Sequence, residues 1–491
     1  MANALFRKKP LQLLMMDTEK EGHKLRRTLS VWDLTALGIG CIIGVGVFVL
    51  PGVEAAKHAG PGIILSFAIA GIACACSALC YAELASMIPV AGSAYTYGYA
   101  TLGELPAWII GWDLILEYMV AACLVSIGWS AYFVNLLNNI LRPWGIAFPR
   151  AIANAPIDWS PELNKFVSTG SVINVPAIFI VGLLTILLIR GIKESSRINM
   201  IIVIIKLAVI VFFIVLAVWH IKPSNWQPFM PFGFGGVMTA AAIVFLAFVG
   251  FDAVSTAAEE AKNPQRDMPI AIMGSLAVAT VLYMAVAAIM TGVVPYQKLG
   301  VADPVALVLN ELRMPWASSI VSLGAIAGIT SVLLVLILGQ PRILFAMSRD
   351  GLLPPVMSRV HKKFQTPHVT TILTGLIVAV ASAFLPIRVV AELCSIGTLF
   401  AFIIVCSGVI VLRYTRKDLV RPFKTPLFPV LPILGVLLCA YLMINLPWTA
   451  WERFIIWLIL GLSIYFFYGR KKSRLAVINP PLAIEEPGKK A

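Results

Sequence analysis

Apolar runs of about 20 residues follow one another through most of this chain, and each is long enough to cross a bilayer as a helix. In hydrocarbon every backbone N–H and C=O must be satisfied inside the protein, so the repetition narrows the fold to a bundle of membrane helices. Twelve runs can be placed, with centres near Ile43, Ile72, Leu116, Val181, Ile210, Phe248, Ala279, Leu333, Val378, Ile403, Val436 and Leu460. Composition agrees: 59% of the 491 residues are hydrophobic and 13% charged, far from a soluble average. The expected class is an all-α membrane protein of twelve transmembrane helices.

Two runs are poor continuous helices. Gly38 to Gly52 reads GIGCIIGVGVFVLPG, and Gly38, Gly40, Gly44, Gly46 and Pro51 all weaken a helix. One reading is a discontinuous helix whose free N–H groups at Gly44, Val45 and Gly46 hold an anion, helped by the dipole of the second half. The other is that the glycines only permit close helix packing. Phe245 to Pro269, FLAFVGFDAVSTAAEEAKNPQRDMP, is a second such run, with Gly250 and Asp252 at membrane depth. Two interrupted helices in corresponding places of two halves point to a transporter site, and they favour the first reading.

The net charge of +14 lies in short loops, which indicates topology rather than nucleic-acid binding. Arg and Lys mark the N-terminal segment and alternate loops (Arg190 to Arg197, Lys262 to Arg266, Arg349 to Lys363, Arg413 to Lys424), placing both termini in the cytoplasm. No cleavable signal precedes the first run. The eight cysteines all fall in apolar segments and read as reduced core residues; no metal site is expected. Segments Ala91 to Gly103 and Tyr296 to Leu312 read as short structured connections after the second and seventh spans. They divide the chain into a cytoplasmic segment (1–30), a five-helix unit (31–223), a second of opposite orientation (232–414), two last helices (425–470) and a cytoplasmic tail (471–491).

Ionisable groups at membrane depth cost about 2.5–3.5 kcal/mol on insertion scales and need a reason. Lys206 lies centrally in the fifth span; it reads as a proton-carrying ammonium or as half of a fixed ion pair. Glu117 is its expected partner, with Asp113 one turn earlier on the same face. Asp252 is a structural cap or a transport residue. Thr330 and Ser331 either bond back to the preceding turn or face Lys206 or an ion. Glu259, Glu260, Arg349, Asp350 and Gly351 read as gate or loop-fixing residues at the cytoplasmic rim.

IGVGVF (Ile43 to Phe48), FVGFDAVSTAAEEAKNPQRDMP (Phe248 to Pro269) and FAMSRDGLLP (Phe345 to Pro354) closely resemble the amino acid–polyamine–organocation transporters. The resemblance covers roughly residues 28 to 470 and is strongest to bacterial relatives of the cationic amino acid transporter branch. It implies the leucine-transporter fold: a 5+5 inverted repeat plus two helices, the first and sixth discontinuous. It implies an α-amino acid whose carboxylate meets the N–H groups of Gly44, Val45 and Gly46. The substrate's ammonium would meet carbonyls at Ile42, Ile43, Leu246 and Val249. It implies that Lys206 points at the Gly40 carbonyl and the Ser331 hydroxyl, where sodium-coupled relatives hold a cation, so the proton is the coupling ion and no cofactor is needed. Leu246, Phe248 and Leu336 would shape the side-chain pocket. Leu246 stands where many relatives carry an aromatic lid; leucine is smaller and makes no cation–π contact. With no acid in the sixth or eighth span obviously facing the pocket, small neutral amino acids are favoured, with arginine and lysine kept open.

The expected function is import of L-amino acids across the cell membrane by proton symport through alternating access. Alternatives are a proton-independent exchanger and a cationic amino acid uniporter. A channel lacks its ring of carbonyls or charges here, and an intramembrane enzyme lacks a Ser/His pair, a zinc-spaced set or a G-x-S-x-G elbow. The expected partners are the substrate and the lipid bilayer, with no nucleic acid; a small accessory subunit is left open.

Overall fold

The computed structural model describes residues 7, 29–87, 93–160, 165–190, 196–256, 258, 261–301, 303–361, 364, 366–417 and 419–474. Among them, seven stretches are long and apolar enough to cross a membrane: Leu50–Met87, Glu104–Leu141, Met200–His220, Pro264–Val293, Pro315–Arg349, Val389–Thr415 and Trp448–Lys472. Five shorter apolar helical stretches accompany them: Val31–Ile42, Val175–Arg190, Gly233–Phe248, His368–Phe384 and Val430–Ile444. Among the described residues the one sheet is a ribbon in the long loop after Leu141, where β1 (Ile157–Ser160) pairs antiparallel with β2 (Lys165–Ser168). The described chain is otherwise mostly helical, and this ribbon lies in a polar loop outside the apolar runs.

The elements that matter for the site are few. Helix α1 (Val31–Ile42) begins on a capping box in which Ser30 and Asp33 satisfy each other's backbone N–H. It is followed by the short pieces α2 (Val45–Phe48) and α3 (Leu50–Glu54), then by α4 (Ile63–Met87). Next come α5 (Ser93–Thr101) and α6 (Glu104–Leu141). Further on lie α7 (Val175–Arg190), α8 (Ser196–Ala217), α9 (Gly233–Val244) with a 3₁₀ turn at Phe245–Phe248, α10 (Phe251–Thr256) and α11 (Pro264–Val293). The remainder are α12 (Pro304–Glu311), α13 (Pro315–Arg349), α14 (His368–Phe384), α15 (Ile387–Thr415), α16 (Val430–Ile444) and α17 (Trp448–Ile464). The two short connections, read from sequence as structured, contain helices α5 and α12.

With hydrophobic burial weakened as a drive between helices in lipid, close approach and polar ties hold the bundle. Small residues set the approach of α6 to α13: a side chain at Gly339 would strike Tyr118, and one at Gly111 would strike Met347. Glu83, fully buried on α4, receives Arg413 of α15 through Nε at 2.9 Å and Nη2 at 2.5 Å, a bidentate charge-assisted pair. Trp112 and Trp457 stack and exchange indole N–H bonds to each other's carbonyls at 2.8 and 3.1 Å, which docks α17 on α6. At the rim, the Asp350 carboxylate accepts from Tyr95 Oη at 2.8 Å and its carbonyl from the Arg474 N–H at 3.0 Å, a loop-fixing arrangement. Glu259, Glu260 and nearly all of segments 1–30 and 471–491 lie outside the described residues.

Candidate functional site

Helix α1 stops at Ile43, whose backbone is extended (φ −77°, ψ 103°), and helix resumes only at Val45. Gly44 has φ −155° and ψ −128°. A helix restarting here leaves its first N–H groups without intrahelical acceptors, and the N–H groups of Gly44, Val45 and Gly46 find no backbone acceptor among the described residues. Opposite, the 3₁₀ turn ends with the Val249 N–H donating to Leu246 O at 3.0 Å, and the chain turns at Gly250, whose φ of +118° suits glycine. The two breaks touch: a Cβ on Gly46 would lie 2.6 Å from Ala247 Cβ, and one on Gly250 would lie 2.9 Å from the Cys41 carbonyl carbon.

Between the breaks, α6 and α13 lies a small cavity of about 40 Å³. Ile42, Gly44, Val45, Gly46, Leu246, Val249 and Leu336 line it, together with Leu50, Leu124, Val125, Val332 and Val335. The polar side chains on its wall are Tyr118, Asp252 and the Cys41 thiol. Asp252 is already engaged: its carboxylate accepts from the Gly250 N–H at 3.1 Å and from Tyr118 Oη at 3.3 Å, so it caps the restart of α10.

Lys206, fully buried on α8, crosses to the first break. Its Nζ donates to Gly40 O at 2.8 Å, Ile43 O at 3.1 Å and Ser331 Oγ at 3.1 Å, using all three of its donors. The Gly40 and Ser331 contacts are those that the family resemblance implies. Ser331 also donates back to Gly328 O at 2.8 Å, so both readings of that hydroxyl hold. Thr330 faces elsewhere: it donates to Ile326 O at 2.6 Å and accepts from Trp129 Nε1 at 2.9 Å.

Three expectations are corrected. Glu117 does not pair with Lys206: neither oxygen of its carboxylate, nor of Asp113's, has a hydrogen-bond partner among the described residues. Both acids are fully buried on α6, and Asp113 Oδ1 is 3.0 Å from where a Gly397 Cβ would stand, so this face looks onto α15. Tyr118, the next residue along, is the one that faces the cavity, since one residue on a helix is a rotation of about 100°. Phe248 does not line the cavity; it packs with Phe67 and Tyr283 at ring separations of 6.3 and 5.2 Å. Ile43 does not line it either, and its carbonyl is occupied by Lys206.

Tyr283 of α11 was not anticipated. Its hydroxyl stands 2.8 Å from both Ile42 O and Ala247 O, one on each break, and joins them. Its sequence signal is a lone phenol in an apolar run, a group that seeks a polar partner when buried. Among the described residues no cluster of three or more His, Cys, Asp or Glu could hold a metal ion.

Comparison with known proteins agrees with this architecture. The amino acid permease family profile matches residues 29–464. The chain is 51% identical to the branched-chain amino acid permease BcaP of Bacillus subtilis, over 97% of its own length and all of that protein's. It is 47% identical to the methylthioribose transporter of the same organism, over 96% and 99% of the two chains. It is 38% identical to the vacuolar cationic amino acid transporter 4 of Arabidopsis thaliana, over 85% and 68%. The chain is therefore a multi-pass membrane protein of the amino acid permease family, within the amino acid–polyamine–organocation superfamily, and a transporter rather than an enzyme.

Proposed function

We propose that this protein imports branched-chain L-amino acids across the cell membrane together with a proton. The chain crosses twelve times with both termini in the cytoplasm. Residues 31–223 and 232–414 form two five-helix units of opposite orientation, and the first and sixth crossings are broken at Ile43–Gly44 and Val249–Gly250. The observation that carries the substrate is the cavity: aliphatic walls that end on N–H groups lacking backbone acceptors. An α-carboxylate meets Gly44, Val45 and Gly46, and the ammonium meets carbonyl oxygens at Ile42, Leu246 and Val249. A branched aliphatic side chain lies among Leu124, Val125, Leu246, Val332 and Leu336. With Asp252 committed to Gly250 and Tyr118, no other acid among the described residues of the wall awaits a guanidinium or a lysine ammonium. The same shortage of free polar side chains argues against the hydroxyl-rich sugar carried by the methylthioribose relative. The similarity to BcaP supports the same choice.

Lys206 carries the coupling proton. Its ammonium holds Gly40 and Ile43 on one side and Ser331 on the other, tying the first crossing to α13. The Ile43 carbonyl and the Gly44 N–H belong to one planar peptide. One face of that peptide meets the ammonium and the other meets the substrate, so proton and amino acid act on the same group. Glu117 has no share in this contact.

Purified protein in liposomes tests the reading. Leucine, isoleucine and valine should accumulate under an inward proton gradient, indifferent to sodium, and should raise the melting temperature in detergent. Counterflow without net accumulation indicates an exchanger; stabilisation by arginine but not by leucine refutes the substrate assignment.

A further inference from the structure

Asp303 occupies the N-cap position of α12, where an aspartate ordinarily accepts an N–H from the first turn of its helix, yet its side chain makes no such bond. The carboxylate lies instead near the side chain of Asn135 on α6 and beside Tyr132. Asn135 presents its amide N–H on this side, because its oxygen already accepts from Asn139 Nδ2 at 3.1 Å and Ser322 Oγ at 3.4 Å. Helix α12 is pressed onto the end of the first broken crossing. A Cβ at Gly52 would stand 2.3 Å from Pro304 Cβ and 2.8 Å from Leu299 O. One turn from Asn135, Tyr132 Oη donates to Phe48 O at 2.6 Å. Residues 48–52, α6 and α12 thus close together over the end of the cavity marked by Leu50.

Among the described residues no cation, Lys57 on the turn that packs against Gly300 included, pairs with Asp303. Lys298 pairs with Glu311 at 3.1 Å and His58 with Glu54 at 2.7 Å. Arg313 follows the far end of α12, and the adjoining turns of α8 (207–217), α11 (283–293) and α13 (315–330) carry no charged residue. Burial pushes the Asp303 carboxyl from its ordinary 3.8 up to about 6, even though a backbone N–H and Asn135 favour the ionised form.

We propose that Asp303 is an outward-facing proton-binding site whose protonation holds α12 closed over the first broken crossing. The proposal rests on the import reading for which face is outside. The sign follows from linkage: a group that binds its proton more tightly in the closed form favours closure when protonated. If opening hydrates the carboxylate and restores its ordinary value, the closed-to-open ratio is about tenfold greater at about pH 5 than at about pH 7.5. A proton arriving from outside therefore helps to shut the outer side.

Cys41 is the one cysteine of the eight on the cavity wall, and it reports the opening. The full-length protein in sealed cells is exposed from outside to a membrane-impermeant methanethiosulfonate at a series of external pH values, and the Cys41 adduct is measured by mass spectrometry. Asp303→Asn is the control fixed in the uncharged form, so the thiol's own pH dependence cancels in the ratio of wild type to variant. That ratio should fall about tenfold between about pH 7.5 and about pH 5; a constant or rising ratio overturns the proposal. Asn135→Ala, which removes the donor favouring the ionised form, should move the midpoint of wild-type-like labelling to higher pH, and an unchanged midpoint also overturns it. The labelling requires no transport. Proton-independent uptake with pH-dependent labelling sinks the symport reading alone, and the reverse result sinks this one alone.

Discussion

Replacing Lys206 separates symport from exchange. The ammonium satisfies Gly40 O, Ile43 O and Ser331 Oγ at 2.8, 3.1 and 3.1 Å. In Lys206→Met all three donors vanish. Ser331 retains its own bond to Gly328 O, so the two carbonyls bear the loss. Orphaned buried acceptors cost about 1–3 kcal/mol each. Against this, removing a charge from membrane depth recovers about 2.5–3.5 kcal/mol on insertion scales. The two largely offset, so the methionine variant should fold, with a net change between about 1.5 kcal/mol more stable and about 3.5 kcal/mol less stable. Lys206→Gln keeps two donors without a proton to give up and should lie closer to wild type. Reconstituted in liposomes, both variants should still exchange labelled leucine for unlabelled leucine. Both should fail to accumulate it under an inward proton gradient. If Lys206→Gln still concentrates leucine in proportion to the imposed gradient, the lysine does not carry the proton.

Three further outcomes follow from the packing. Gly46→Ala drives a methyl to 2.6 Å from Ala247 Cβ and 2.8 Å from its Cα; overpacking of about 1–3 kcal/mol should part the two breaks and abolish uptake, while gel filtration still shows monodisperse protein. Tyr283→Phe removes the donor shared by Ile42 O and Ala247 O; with one hydroxyl proton only one of the two is served at a time, so the cost is about 1–3 kcal/mol, read as a raised KM and a lower melting temperature. Leu336→Ala strips apolar wall from the cavity; at about 0.8 kcal/mol per buried methylene, leucine affinity should fall about tenfold while alanine affinity holds, and an equal loss for both places the leucine side chain elsewhere.

How far the site could be read in advance follows from what a linear pattern encodes. Depth in the membrane is legible, because apolar run length fixes where Gly44, Gly250 and Lys206 stand along the normal. Special backbone is legible too, since only glycine-rich stretches accommodate the close approach of Gly46 to Ala247. Azimuth is not. Glu117 and Lys206 each fall near the middle of an apolar run, but one helix position turns Tyr118 to the cavity and leaves Glu117 facing α15, a direction set by inter-helix packing that no single-helix pattern specifies. Phe248 failed for the same reason: its ring found Phe67 and Tyr283, residues from distant spans. The ribbon at residues 157–168 was missed because its hairpin lies in a polar loop outside the repeating signal.

The shared peptide between Ile43 and Gly44 makes a last demand. An ammonium on its carbonyl polarises the unit and strengthens its N–H as a donor; a carboxylate on the N–H makes the carbonyl a better acceptor. Hydrogen bonds in series strengthen one another by about 10–30%, and charge-assisted bonds are worth about 1.5–3 kcal/mol, so the coupling is a few tenths of a kcal/mol up to about 1 kcal/mol, or roughly two- to fivefold in affinity. By reciprocity the bound amino acid raises the proton affinity of Lys206 by the factor by which the proton raises amino acid affinity. Leucine affinity measured by calorimetry should therefore weaken as rising pH takes the proton from the lysine. Titrations in buffers of different ionisation enthalpy should detect proton uptake on binding, and Lys206→Gln should show neither effect. Wild-type protein that binds leucine equally at acid and alkaline pH, with no proton taken up, would mean that the two sites sit side by side without communicating through this peptide.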